Sequence, residues 1–163
     1  MFVEHPTSPA SSGGALIKQR MSLNNTLIPI DGSASSLRAL AVALHSLQSH
    51  PDARVHVLNV QAPLIHLWVG KLVTPDMIDA ELRSAGEKLL VEAEIMALAA
   101  GIGCVPHVSI GAAAEEIAAY ATRNGCDAIV MGTRGMGVVA GLVLGSVAQR
   151  VVHLATVPVT LVK

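Results

Sequence analysis

The chain has 163 residues, 52% of them hydrophobic and 14% charged, and a formal net charge of -1. That is enough apolar material for one well-cored domain and too little charge for the disordered class. The near-neutral balance also removes the electrostatic case for nucleic acid or an acidic membrane surface as a partner.

Residues 1–22 mix Pro, Ser and Gly without periodicity, which predicts a mobile tail over 1–23 ahead of one domain over 24–163. Ser11 to Gly14 (SSGG) has the look of a phosphate loop, but no strand precedes it and no Asp-Ser follows. Met1 to Gly14 is broken by Pro6 and Pro9 and lacks the apolar run of a targeting segment. The uncharged stretch Gly135 to Gln149 falls short of the roughly 20 residues that span a bilayer. A cytoplasmic protein without a membrane segment is the expectation.

Thr26 to Asp31 (TLIPID) reads as the first strand. Pro29 cannot donate to a ladder and so marks its carboxyl end, the end that ligands use. Ser33 or Ser35 suits the cap of a helix with Leu37, Leu40, Ala41, Leu44 and Leu47 as its apolar face. Asp31, at the strand mouth, is placed either to hold a divalent metal or an adenosine group or to serve as a plain turn carboxylate. Arg54 to Val60 forms the second strand, and its His56 has no second metal-ligating residue at useful spacing, so it reads as a core or edge histidine. Gln61 to Val73, with Trp68, is apolar without period: a packed connection, a flap or a partner surface.

Thr74-Pro75 followed by Asp76 is a helix start, and Ile78, Leu82, Ala85, Leu89, Ala93 and Met96 trace an apolar face until Gly101 and Gly103. The third strand, Val105 to Ile110, carries Pro106 and polar His107 and Ser109, which suits a sheet edge. A third helix over Ala112 to Arg123 stops at Asn124-Gly125. Ala128 to Met131 is a strand buried on both faces that ends at Gly132. Gly145 and Ser146 then open a helix in which Val147, Ala148, Val151, Val152 and Ala155 recur, and Pro158 to Val162 closes the chain as a short strand. Cys104 and Cys126 form no C-x-x-C, so both are expected to be reduced thiols.

The segment from Asp127 to Gln149 carries the strongest chemistry. Strand, glycine loop and helix follow one another, and the first amides of a helix lack internal partners and carry partial positive charge. Glycines permit close backbone approach to a phosphate and positive φ where a turn needs it. Gly132, Gly135, Gly145 and Ser146 therefore form a candidate phosphate cradle, with the Ser146 hydroxyl as donor and Arg134 as charge partner. On spacing alone the same glycines equally well cap a strand and turn a corner.

The pattern Gly132-x2-Gly135-x9-Gly145-Ser146, preceded by IVM and followed by VPVTLVK, resembles the nucleotide-binding signature of the universal stress protein family, in the form found in its ATP-binding branch. LIPIDGS (Leu27 to Ser33), LNV (Leu58 to Val60) and Gly111 ahead of CDAIVMGTRG sit where that family places its elements, so the likeness spans about residues 24 to 163. The alternation of strands and helices calls for an open five-stranded parallel sheet with helices on both faces, a Rossmann-like α/β fold. The resemblance implies the order 3-2-1-4-5, as in the adenine nucleotide alpha hydrolase-like folds. It further implies adenine against Pro29, Ile30, Val60 and Met131, and phosphates along Gly132 to Gly135 and onto Gly145, Ser146 and Val147. It implies ATP as the ligand, with Mg2+ at Asp31, and a homodimer joined through the last strand. A regulatory ATP-binding module in stress response follows from it. A slow or autophosphorylating ATPase and a nucleotide-free dimeric interaction protein are the alternatives.

Other nucleotide and hydrolase motifs fit less well. Gly135 to Ala140 matches G-x-G-x-x-A, but it follows the fourth strand and no acid appears about 20 residues on. No G-x4-GK[ST], G-x-S-x-G or H-E-x-x-H occurs.

Overall fold

The computed structural model describes residues 24–63, 74–135 and 144–163. The elements in chain order are β1 (Asn25–Pro29), α1 (Ala34–Leu47), β2 (Arg54–Gln61), α2 (Pro75–Ala99), β3 (Gly103–Ile110), α3 (Ala113–Arg123), β4 (Ala128–Gly132), α4 (Ser146–Leu154) and β5 (Val159–Val162). All strand pairs are parallel, in the order β3-β2-β1-β4-β5. This is the Rossmann-like order expected from the sequence. The predicted tail over 1–23 and most of the Gln61 to Val73 connection lie outside the described residues, as does the middle of the glycine loop.

The period-2 alternation of the strands sorts the core into two layers. Ile28, Ile30, Val55, Val57 and Val108 pack with Leu40, Leu44 and Leu47 of α1 and Leu90 and Ala93 of α2. Leu27, Leu58, Ile129 and Met131 point the other way, onto Ile117 and Tyr120 of α3 and Ala148 and Val151 of α4. At the amino ends of the strands, Asp127 accepts the Asn24 and Asn25 amides on one carboxylate oxygen, each at 2.9 Å, and so locks β4 beside β1.

Helix starts follow the capping residues. Ser33 Oγ accepts from the Ser36 amide at 3.2 Å, and Thr74 Oγ1 accepts from the Met77 amide at 3.3 Å with Pro75 next to it. Gly101 and Gly125 follow α2 and α3 with φ of 70° and 60°, the left-handed conformation that stops a helix at little cost for glycine.

Three helix faces differ from the sequence expectation. On α1 the buried stripe is Ser35, Ser36, Ala39, Leu40, Ala43, Leu44 and Leu47, while Ala41 is exposed and Leu37 half-buried. On α2 it is Ile78, Gly86, Leu90, Ala93 and Ala97; Leu89 is exposed and Leu82, Ala85 and Met96 are half-buried. On α4 only Ala148 and Val151 are buried, and Val147 and Val152 face outward. On α1 and α2 small residues such as Ala39, Ala43, Gly86 and Ala97 share the buried face, and a search for large apolar side chains passes over them.

The two sheet edges are unlike. Pro106 brings no N–H to β3, and the Arg83 guanidinium donates to the Val108 carbonyl at 3.2 Å. β5 has no proline and leaves Thr160 and Leu161 exposed.

Candidate functional site

The chain leaves β1 toward β2 and β3 on one side and returns to its other side at β4, so the carboxyl ends of β1 and β4 part around a crevice. A cavity of about 260 Å³ lies there. All eleven residues singled out from the sequence line it: Pro29, Ile30, Asp31, Val60, Met131, Gly132, Arg134, Gly135, Gly145, Ser146 and Val147. Residues more than a hundred positions apart thus share one wall.

Six further residues line the cavity without having been foreseen: Ser36, Leu58, Ala113, Ile117, Thr133 and Ala148. Ala113 and Ile117 are four apart on α3 and Leu58 is two before Val60 on β2, so periodicity carried a signal for these three. Ser36 was hidden behind the cap Ser33. Thr133 is one of the unspecified positions between Gly132 and Gly135, where spacing says nothing.

Three helices begin at the cavity, and they differ in what their first amides meet; α3, capped by Ala112 without a side-chain hydrogen bond, carries Glu115 and Glu116 in its first turn. At α1 the Ser33 amide donates to Asp31 Oδ1 at 3.0 Å and the Ser36 amide to Ser33 Oγ, so side-chain oxygens of the chain itself occupy that terminus. At α4 the cap is Gly145, and no side chain among the described residues caps the helix. Its first intrahelical bond runs from the Gln149 amide to the Gly145 carbonyl at 3.0 Å, which leaves the amides of Ser146, Val147 and Ala148 ahead of it. Partial positive charge therefore collects on the α4 side of the cavity, with the exposed Arg134 next to it.

The glycines serve close approach rather than unusual backbone angles. Among the described residues positive φ falls on Gly32, Gly101 and Gly125, and on none of the cavity glycines. A side chain at Gly132 would run into Ser35 of α1, so that glycine lets α1 seat on β4. A Cβ at Gly135 would stand 2.7 Å from Asp31 Oδ2, which places the glycine loop directly against the β1 carboxylate. At Gly145 it would stand 3.3 Å from the Thr133 carbonyl oxygen.

These features fit an adenine nucleotide. The Pro29, Leu58, Val60, Ile117 and Met131 part of the lining is apolar, and the glycine loop with the α4 terminus offers amide donors and a guanidinium. For a metal the fit is narrower. Among the described residues no three His, Cys, Asp or Glu side chains gather into a metal-holding group, so a cation at Asp31 would need phosphate oxygens to complete its shell.

Away from the cavity, His56 is a buried core histidine whose Nδ1 lies 3.1 Å from the Tyr120 hydroxyl. Cys104 and Cys126 are free thiols, and burial pushes both up to about 11, which keeps them protonated and unreactive. Among the described residues no helix is long and apolar enough to cross a membrane.

A family model described as the universal stress protein family matches residues 23–163. The chain is 39% identical over 141 residues to the universal stress protein in the QAH/OAS sulfhydrylase 3' region of Thermus aquaticus, a match covering 84% of this chain and 96% of that one. To universal stress protein YxiE of Bacillus subtilis (strain 168) it is 32% identical over 147 residues, covering 86% and 99%. Among solved structures, hypothetical protein MJ0577 aligns with a TM-score of 0.77 at 23% identity, over 86% of this chain and 96% of that chain. A universal stress protein in complex with cAMP aligns at 0.64 and 26% identity, over 86% and 97%. A family protein from Arabidopsis thaliana with AMP bound aligns at 0.62 and 20% identity, over 86% and 91%. Sheet order, glycine spacing and sequence identity converge: the chain belongs to the universal stress protein family.

Proposed function

We propose that this chain is a regulatory module of a stress response that binds ATP in the β1/β4 crevice. The observation that carries the reading is the contrast among the helix termini at the cavity: α1 is satisfied by Asp31 and Ser33 and α3 has Glu115 and Glu116 in its first turn, whereas α4 brings a terminus with neither a side-chain cap nor an acid in its first turn. Adenine lies against Pro29, Ile30, Val60 and Met131. The phosphates run along Gly132 to Gly135 to the Gly145, Ser146 and Val147 amides, with Arg134 as an outer charge partner and Mg2+ held between Asp31 and the phosphates. Family relatives solved with cAMP and with AMP support an adenine nucleotide as the ligand class.

The same lining favours binding over turnover. Asp31 and Arg134 are the ionisable residues of the described cavity wall, and efficient phosphoryl transfer needs a positioned base and further charge clamps. The protein acts in the cytoplasm as a homodimer joined at β5, whose exposed Leu161 and unblocked edge invite a second copy.

Isothermal titration with ATP tests the site. Ser146→Ala removes one donor to a charged group and leaves the α4 amides in place, a loss of roughly 1.5 to 3 kcal/mol, about ten- to a hundredfold in affinity. Gly135→Val sets a branched side chain against Asp31 and the phosphate path, and abolishes binding while circular dichroism shows a retained fold. Wild-type affinity in a folded Gly135→Val protein would refute the placement. In the turnover arm, hydrolysis above about 1 s⁻¹ that Asp31→Asn abolishes would replace the binding module with an enzyme.

A further inference from the structure

We propose, on the reading that the crevice takes nucleotide, that the Thr133 backbone positions the α4 terminus and couples it to the last strand of the chain. Thr133 is buried, 8% exposed, and lines the cavity. Its N–H donates to the Val162 carbonyl at 2.9 Å, and its carbonyl accepts the N–H of Gly145, the α4 cap, at 2.7 Å. The end of β5 therefore holds the residue that holds the helix terminus, through two backbone hydrogen bonds and no intervening side chain.

The surroundings leave this link little slack. Gly132, the residue before Thr133, is in register with Val162 and is pressed by Ser35 of α1. On the far side, a Cβ at Gly145 would stand 3.3 Å from the Thr133 oxygen and 3.6 Å from Arg134 Cα. The chain end is pinned as well, since Arg38 Nε on α1 donates to the Lys163 carbonyl at 3.2 Å. Displacing Val162 frees the Thr133 N–H and lets the Gly145 amide swing with it. By linkage, a ligand held at α4 steadies the end of β5, and whatever holds or displaces that end changes ligand affinity by the same factor. Thr133 is thus a positioning residue that acts through Gly145.

Three chains test this: the full protein, a deletion of Val162 and Lys163, and Lys163→Ala, which keeps both terminal carbonyls. Amide hydrogen exchange is measured without nucleotide, and ATP affinity by titration. The deletion is expected to speed exchange at the Gly145 amide and to weaken ATP about tenfold, within the usual range of couplings between sites. Lys163→Ala matches the full chain in both. If circular dichroism shows the deletion unfolded, Arg38→Ala removes only the exposed donor to Lys163, and faster exchange at the Thr133 amide is then the expected result. Unchanged exchange at Gly145 in the folded deletion, or at Thr133 in Arg38→Ala, overturns the link whether or not ATP binds. Faster exchange with undiminished ATP affinity overturns the positioning role. Faster exchange in a protein that never binds ATP supports the link and refutes the nucleotide reading instead.

Discussion

His56 sits on β2 at 9% exposure with its ring against Tyr120 of α3. Burial first, and the Arg54 charge second, hold its pKa below the ordinary 6.5. The unfolded chain therefore takes up a proton at this histidine near pH 6.5 while the folded chain still resists it. The site costs no stability above that pH, and stability falls as pH drops below it, levelling off once the folded-state pKa is passed. Urea denaturation at about pH 7.5 and about pH 5.5 is expected to show a lower midpoint in acid, with a smaller drop in His56→Phe. Equal drops in the two proteins would assign the acid sensitivity to other groups. The sequence read this histidine as a core or edge residue because no second ligand accompanied it, and the structure places it in the core. It gave no hint of the Tyr120 partner, which is 64 positions away and is met only when α3 folds onto β2. Thr133 was illegible for a related reason: its role resides in backbone groups, which every residue type carries.

Helix α2 shows where pattern and packing part company. Its ends were readable from Thr74-Pro75 and Gly101, because capping is local chemistry. Its buried face was read only in part: Ile78 and Ala93 were on it, but Gly86, Leu90 and Ala97 complete it where Leu82 and Leu89 were expected. A Cβ at Gly86 would stand 2.6 Å from Val108 Cγ1 and 2.9 Å from Asn59 Oδ1. Asn59 is itself committed: its amide donates to the Ile30 carbonyl at 2.7 Å, and its oxygen accepts from Gln61. Helix propensity alone says that Gly86→Ala stabilises by about 0.5–1 kcal/mol. Overpacking against a strand and a committed amide costs about 1–3 kcal/mol, so the net effect is expected to be destabilising. Chemical denaturation decides the sign, and a higher midpoint for Gly86→Ala would show that α2 can lift off the sheet at little cost.

At the scale of the molecule the sequence was most informative, since the alternation of strand and helix called for a parallel sheet with helices on both faces and the family resemblance carried by the glycine spacing implied the strand order. What it could not fix was the middle ground between motif and fold, namely which residue fills the space that each glycine leaves open. Asp31 against Gly135 and Ser35 against Gly132 are contacts between segments about a hundred residues apart, set by the three-dimensional seating of α1 on β4.

The unequal edges of the sheet carry a consequence for stoichiometry. Pro106 and the Arg83 guanidinium close β3, and among the described residues β5 has no proline and leaves Thr160 and Leu161 exposed. A unit with one sticky end and one blunt end can pair with a copy of itself about a two-fold axis, and growth then stops, because both blunt ends face outward. Light scattering is accordingly expected to give a mass of two chains that does not rise with concentration. Pro106→Val combined with Arg83→Ala restores a donor and uncovers a carbonyl on the blunt side, and is expected to give species that lengthen as concentration increases. Constant mass in the double variant would mean that the strand's own shape, rather than these two residues, terminates growth. In a dimer joined at β5, the limit on polymer length would be set at β3, the strand farthest from the proposed joint.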